Sequence, residues 1–154
     1  MLTLPHTQSC FVCGEANPLG LGLKFETDGH VVRARFTPRP EHIGFKDTIH
    51  GGILATLLDE IMVWACGVRT KRFAYCAEMT VRFSSPARPG RELTATAEML
   101  ADRRGRLFEA RAEVRDADDL LIAASTGKYL PMDAETEAAM RTELIGSFDG
   151  FARG

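Results

Sequence analysis

Two adjacent carboxylates, Asp59 and Glu60, lie in the middle of the most apolar stretch of the chain, residues 53–68. A carboxylate among apolar residues loses its hydration unless a partner replaces the water. Two explanations fit this placement. Either one of the two acts as a general base or nucleophile, or the placement is structural, because one of the two points outward or is satisfied by an arginine.

The tripeptide His50-Gly51-Gly52 stands at the predicted start of a helix over 50–67. The first N–H groups of a helix have no partner within the helix, and the helix dipole favours developing negative charge there. Two glycines leave this backbone open to close approach by a ligand carbonyl. We therefore predict that a carbonyl group binds at the N-terminus of this helix.

One helix cannot place these two features in the same site. Nine residues separate His50 from Asp59, which at about 100° and 1.5 Å per residue means opposite helix faces and a separation of about 13 Å. If two such helices lie antiparallel across a two-fold interface, the glycine end of one faces the carboxylate of the other. The spacing therefore favours a homodimer or homotetramer with sites at the subunit boundary.

The elements around the helix show a two-residue period of apolar side chains. Strands are predicted at 21–27, 30–37, 78–84, 92–99, 108–115 and 120–130. This order predicts an α+β fold, with an antiparallel sheet of about six strands wrapped around one long central helix. We expect residues 1–19 to be an irregular leader, 20–132 to be the domain and 133–154 to be a C-terminal helical tail, with its helix at 133–148.

Composition excludes several classes of protein. The 154 residues include 19 Lys and Arg against 21 Asp and Glu, so no basic surplus is present to bind nucleic acid. The apolar run of sixteen residues contains two acids, which predicts no membrane span. The N-terminus lacks the pattern of an export signal, and four cysteines are too few for a disulfide scaffold, so we expect a cytoplasmic protein.

The run HGGILATLLDE, together with the residues after the helix, resembles a known family. Residues 19–130 are similar to the hotdog fold of the PaaI-like acyl-CoA thioesterases, and the residues after the helix that carry the resemblance are Thr80 to Phe83, Pro86 and Gly90. The opening CFVCGEANPLGLGLKF resembles the leader of one branch of this family.

The resemblance implies hydrolysis of acyl-CoA thioesters to free acid and coenzyme A, with no cofactor. It implies that Asp59 is the catalytic carboxylate, that the Gly51 amide polarises the thioester carbonyl and that His50 positions it. Whether Asp59 attacks the carbonyl or activates a water is left open.

Four further residues are candidates for contact with the substrate: Gly52, Thr56, Glu60 and Thr80. Thr56 lies one turn before Asp59 and either orients its carboxylate or, as we favour, bonds back to its own helix backbone. Glu60 is rotated by about 100° from Asp59, and its expected partner is an arginine across the interface.

Two positions depart from the family's pattern. Relatives often carry Asn or Gln six residues before the histidine, where this chain has Gly44, and Ser or Thr early in the next strand, where it has Cys76. We expect Cys76 to be a small core residue. These departures keep open a non-catalytic protein that binds acyl-CoA or an aromatic ligand; a hydratase on the same scaffold is a weaker alternative, because His50 and Asp59 serve it poorly.

The pair Cys10 and Cys13, with His6 four residues earlier, has the residue types of a zinc site. A structural zinc site needs four ligands, and Cys66 and Cys76 belong to other elements. We therefore predict no metal. Basic side chains near the turns could bind the phosphates of coenzyme A, although none is assigned: Arg82, Arg88, Arg91, Arg103, Arg104 and Arg106.

Overall fold

The computed structural model describes residues 1–147. Its helices are α1 (Gly51–Thr70) and α2 (Ala134–Arg141), and a 3₁₀ turn covers Pro40–His42. The strands are β1 (Leu2–Thr3), β2 (His6–Thr7), β3 (Phe25–Thr27), β4 (Val31–Phe36), β5 (Ile43–Phe45), β6 (Thr48–Ile49), β7 (Ala74–Phe83), β8 (Leu93–Asp102), β9 (Phe108–Asp116), β10 (Leu121–Pro131) and β11 (Leu144–Ile145).

One antiparallel sheet carries the fold. Its seven strands follow the order β1-β3-β4-β8-β9-β10-β7, and α1 packs across one face of it. The predicted α+β architecture, a sheet of about six strands around one long helix, is confirmed, with β1 as the additional strand. Because β7 stands at the end of this order, one of its two backbone edges is unpaired among residues 1–147.

The sheet face toward α1 is built from alternating small and large apolar residues. On β9, Phe108, Ala110 and Val114 are fully buried, while the residues between them are more exposed. Short alanine side chains leave room for the apolar face of the helix, on which Leu57 and Ile61 are also fully buried. The core therefore lies between one sheet face and one side of α1.

Helix α1 is longer than the sixteen-residue apolar run suggests. Its 20 residues are long and apolar enough to cross a membrane, judged by length and composition alone. The short apolar run therefore did not by itself exclude a membrane span. However, 56% of its most apolar window is buried inside the protein, which is typical of a core helix. The helix ends at Lys71, whose backbone is left-handed with φ of 61°.

The leader and the tail are more structured than predicted. Strand β1 pairs with β3 in the main sheet, β2 pairs with β11 of the tail, and Leu4 and Val12 of the leader are buried. Strands of two residues are too short to show a period, so the sequence pattern missed them. Helix α2 covers only 134–141 of the predicted 133–148, and residue 148 lies outside the described residues.

Candidate active site

A short hairpin sets the start of α1. Strands β5 and β6 pair through a turn at Lys46 and Asp47, both of which have positive φ, and β6 leads directly into His50. His50 is the N-cap residue, and its Nδ1 accepts a hydrogen bond of 2.8 Å from the Gly52 amide. His50 therefore holds the helix start through a side-chain cap, and its predicted positioning of the thioester carbonyl stays a prediction.

The Gly51 amide remains available to a ligand. Among residues 1–147 no acceptor for this N–H is present, whereas the Gly52 amide is already bonded to His50. The Gly51 N–H is thus a free donor at the helix start. The Gly52 N–H is already bonded to His50, so it gives no support to the predicted contact between Gly52 and the substrate. A Cβ at position 51 would lie 3.1 Å from the ring of Phe83, so glycine keeps this approach open.

Gly44 packs against the helix cap. A Cβ at this position would lie 3.1 Å from Cδ2 of His50, so a larger side chain would have to displace the imidazole. The His50 ring therefore fills the space beside Gly44, where the sequence departs from the expected Asn or Gln.

The carboxylate of Asp59 is held by a buried tyrosine. The Tyr129 hydroxyl lies 3.1 Å from Oδ1 of Asp59 and 3.3 Å from its carbonyl oxygen, and Tyr129 is fully buried. Burial, and then the charge of Asp59, raise the pKa of Tyr129, so the hydroxyl stays protonated and donates. Gly127 leaves room for this ring, since a Cβ there would lie 2.7 Å from Cε2 of Tyr129.

Tyr129 was not among the predicted site residues. Its available signal was a hydroxyl on the apolar face of the last strand, because a buried tyrosine O–H needs a partner. The identity of that partner, 70 residues earlier in the chain, depends on how the sheet packs on α1.

A cavity of about 240 Å³ opens beside Asp59. Its walls are mostly apolar and come from α1, β7, the leader and the tail. They comprise Thr7, Cys13, Asp59, Glu60, Val63, Trp64, Phe73, Ala74, Tyr75, Cys76, Met132, Met140 and Leu144. Asp59 therefore borders a space that can take a small apolar group.

A bulge in β7 determines which side chains of this strand line the cavity. Tyr129 pairs with Cys76 while Lys128 pairs with Glu78, so Ala77 is the extra residue. Cys76 therefore lies on the cavity side and is exposed, which corrects its predicted place in the core. Burial, and then the charge of Asp59, raise the pKa of its thiol.

Thr80 lies on the other side of the sheet. It lines a groove of about 470 Å³ with Arg82 and Ser125, well separated from the cavity that contains Asp59. Within one chain Thr80 and Asp59 therefore line different cavities, and the predicted contact of Thr80 with the substrate stays a prediction. The alternation of β7 resumes after the bulge and turns Thr80 outward.

Thr56 and Glu60 are oriented away from Asp59. The Thr56 hydroxyl donates to the Gly52 carbonyl oxygen at 2.8 Å, which is the backbone bond that we favoured rather than a contact with substrate. Glu60 turns toward the leader, where Cys10 lies 3.7 Å from its Oε1. Burial, and then the charge of Cys10, raise the pKa of the Glu60 carboxyl to about 8.

The helix wrapped by an antiparallel sheet, with a free amide at the helix start and a carboxylate near its middle, defines a hotdog-fold protein. The thioesterase superfamily model matches residues 46–123, which is half of the chain. The chain therefore belongs to the thioesterase superfamily, and it has the hotdog fold.

Solved structures agree with this assignment. The PaaI protein of the E. coli phenylacetic acid degradation operon has a TM-score of 0.66 at 23% identity, covering 73% of this chain and 80% of that one. A thioesterase superfamily protein from Bordetella bronchiseptica is 30% identical, with a TM-score of 0.66 and coverage of 71% and 84%. A Streptococcus mutans protein bound to acetyl-CoA is 15% identical, with a TM-score of 0.66 and coverage of 71% and 88%. No curated protein matches the chain.

Proposed function

We propose that the protein hydrolyses acyl-CoA thioesters to a free acid and coenzyme A. The proposal is carried by two features of α1, a free Gly51 amide at its start and an Asp59 carboxylate that Tyr129 holds beside a cavity. Membership of the thioesterase superfamily supports the reaction, and the acetyl-CoA bound to the S. mutans neighbour supports the class of ligand.

The Gly51 N–H stabilises the charge that develops on the thioester oxygen. The thioester carbonyl accepts a hydrogen bond from this amide at the positive end of α1, and the bond strengthens as the oxygen becomes an oxyanion. His50 keeps the first turn in place by capping Gly52. A neutral His50 ring accepts at Nδ1 and carries its proton on Nε2.

Asp59 takes part in the cleavage of the thioester bond by one of two routes. As a general base it takes a proton from water, the hydroxide adds to the carbonyl carbon, and the C–S bond breaks to release the coenzyme A thiolate, which takes up a proton. As a nucleophile it forms a mixed anhydride on loss of the thiolate, and water then hydrolyses the anhydride. Tyr129 orients the carboxylate in both routes.

We infer a homodimer that brings the two halves together. Strand β7 offers ten residues of open edge, and its Tyr75 and Phe83 are more than half exposed. An exposed edge of this length favours pairing with a second chain. Pairing two β7 strands antiparallel also sets the α1 helices antiparallel, so that Gly51 of one subunit faces the partner subunit's Asp59. A homotetramer would be two such dimers.

The cavity beside Asp59 suggests the size of the acyl group. A cavity of about 240 Å³ with walls such as Val63, Phe73 and Met140 accommodates a short or single-ring acyl group rather than a long chain.

A cytoplasmic location belongs to the same proposal, and the four cysteines, all unpaired in the structure, support it.

A protein that binds acyl-CoA or an aromatic ligand without turnover is the second candidate. The packing of Gly44 against His50 favours it, because the polar side chain that relatives place there is missing. Ligand-dependent thermal stabilisation without product would be its signature.

The test is release of free thiol from short, medium, long and aryl acyl-CoAs, measured for the wild-type protein and Asp59→Asn. We expect turnover of short or aryl substrates, with kcat lowered by about a hundredfold or more in Asp59→Asn. The matched control is Asp118→Asn, which removes an exposed acid paired with Arg91 and should leave kcat unchanged. Full activity in Asp59→Asn would contradict the assignment. Stabilisation by an acyl-CoA without thiol release would favour the binding protein.

A further inference from the structure

Two thiols of the leader and one carboxylate of α1 converge at one point. The sulfur of Cys10 lies 3.7 Å from Oε1 of Glu60, and the ligand atoms of Cys10, Cys13 and Glu60 all lie within 4.8 Å of one another. The cluster joins residues that are 50 positions apart in the sequence. No role in the proposed hydrolysis uses it.

We propose that Cys10, Cys13 and Glu60 bind one zinc ion. Zinc takes thiolate sulfur at about 2.3 Å and carboxylate oxygen at about 2.0–2.2 Å in tetrahedral geometry, which separates its ligand atoms by roughly 3.5–3.8 Å. The distance from Cys10 to Glu60 already has this value. Small side-chain rotations would bring the third ligand atom to the same spacing.

The loop that carries the two cysteines has the form that such a site needs. The Gly14 amide donates to the carbonyl oxygen of Cys10 at 2.9 Å, and a Cβ at position 14 would clash with that oxygen. Glycine therefore permits the turn that places Cys13 beside Cys10. The Val12 amide lies 3.3 Å from the Cys10 sulfur, and an N–H donated to sulfur stabilises a thiolate.

The cluster has no cationic side chain of its own. Among residues 1–147 no Lys or Arg forms an ion pair with Glu60, and without a cation three acidic groups this close stay partly protonated. His6 does not join the cluster, because its Nε2 lies 3.1 Å from Oε1 of Glu15. A divalent ion would neutralise the two thiolates and the carboxylate together.

The fourth zinc position faces the cavity beside Asp59. Cys13 and Glu60 both line that cavity, and no fourth His, Cys, Asp or Glu from the described residues completes the cluster. A zinc site with three protein ligands keeps one position for water or a small ligand. The ion would also fasten the leader to α1 one residue away from Asp59. The proposal rests on these contacts and stands whether or not the protein is a hydrolase.

Cobalt binding to the full-length protein, reduced and freed of metal, tests the site. We expect Co²⁺ to saturate at one ion per chain with the intense near-ultraviolet absorption of thiolate–cobalt bonds, and Zn²⁺ to displace it. Cys10→Ser and Cys13→Ser should each remove half or more of that absorption. Glu60→Gln should raise the Kd for Co²⁺ by about tenfold or more.

Matched controls keep these outcomes distinct. Cys76→Ser and Glu15→Gln, which remove an exposed thiol and an exposed carboxylate outside the cluster, should leave the Kd and the absorption unchanged. A readout without any substitution is the alkylation of Cys10 by iodoacetamide, which Zn²⁺ should slow at least tenfold. The proposal is overturned if the reduced wild-type protein shows no saturable cobalt absorption and no protection of Cys10. It is also overturned if Glu60→Gln binds as tightly as the wild type, or if the two cysteines form a disulfide in preference to binding Zn²⁺.

Discussion

At the scale of single residues, the bond from Tyr129 to Asp59 is the contact that turns a helix carboxylate toward the cavity. Tyr129→Phe removes the hydroxyl while the ring keeps its place. A hydrogen bond to a charged group contributes about 1.5–3 kcal/mol, so we expect kcat to fall by about tenfold or more with KM little changed. Steady-state kinetics on the best acyl-CoA measure this. An unchanged kcat, or a loss confined to KM, would contradict it.

Gly127→Ala provides a second way to perturb the same contact. Its Cβ would lie 2.7 Å from Cε2 and 3.0 Å from the hydroxyl of Tyr129, so the ring must move away from Asp59. Kinetics should show a loss similar to that of Tyr129→Phe, and the double variant should lose little more than either single one, because both remove one interaction. Fully additive losses would indicate that Gly127→Ala acts by general destabilisation.

At the scale of elements, the cap at His50 determines how firmly the first turn of α1 is held. His50→Ala leaves the Gly52 amide without its side-chain acceptor. Loss of such a cap costs about 0.5–2 kcal/mol of unfolding free energy. His50→Asn retains a capping oxygen and should recover most of the loss. Urea denaturation measures both variants, and equal stabilities for Ala and Asn would show that the side chain contributes no cap.

The elements differ in how far sequence could predict them. The long strands show a sustained two-residue period, and α1 has the length and apolar content of a helix, so both could be predicted from the sequence. The spacing between His50-Gly51-Gly52 and Asp59 is visible in the sequence itself. The bulge at Ala77, which separates Cys76 from Thr80, leaves no local signature, so the sequence could not show that these two side chains lie on opposite sides of the sheet. The contact of Glu60 with Cys10 spans 50 residues, so no motif spacing could reveal it.

At the scale of the whole molecule, the proposed site needs two chains, and a mixture of two inactive variants can test this. Asp59→Asn lacks the carboxylate, whereas Gly51→Val places a side chain against Phe83 and blocks the amide. A dimer with one subunit of each kind has one complete site, made from Gly51 of the first variant and Asp59 of the second. After subunit exchange of an equal mixture, random pairing predicts about a quarter of wild-type activity.

Thiol release before and after mixing measures this recovery, and mass spectrometry of the intact dimers reports the exchange. Gly51→Ala serves as a milder second variant in case Gly51→Val does not fold. No recovery in a mixture that has exchanged would mean that Gly51 and Asp59 do not meet across the dimer. Because α1 alone separates Gly51 from Asp59 by about 12 Å, a site within one chain would require a different carboxylate, and the assignment of Asp59 would fall with the dimer.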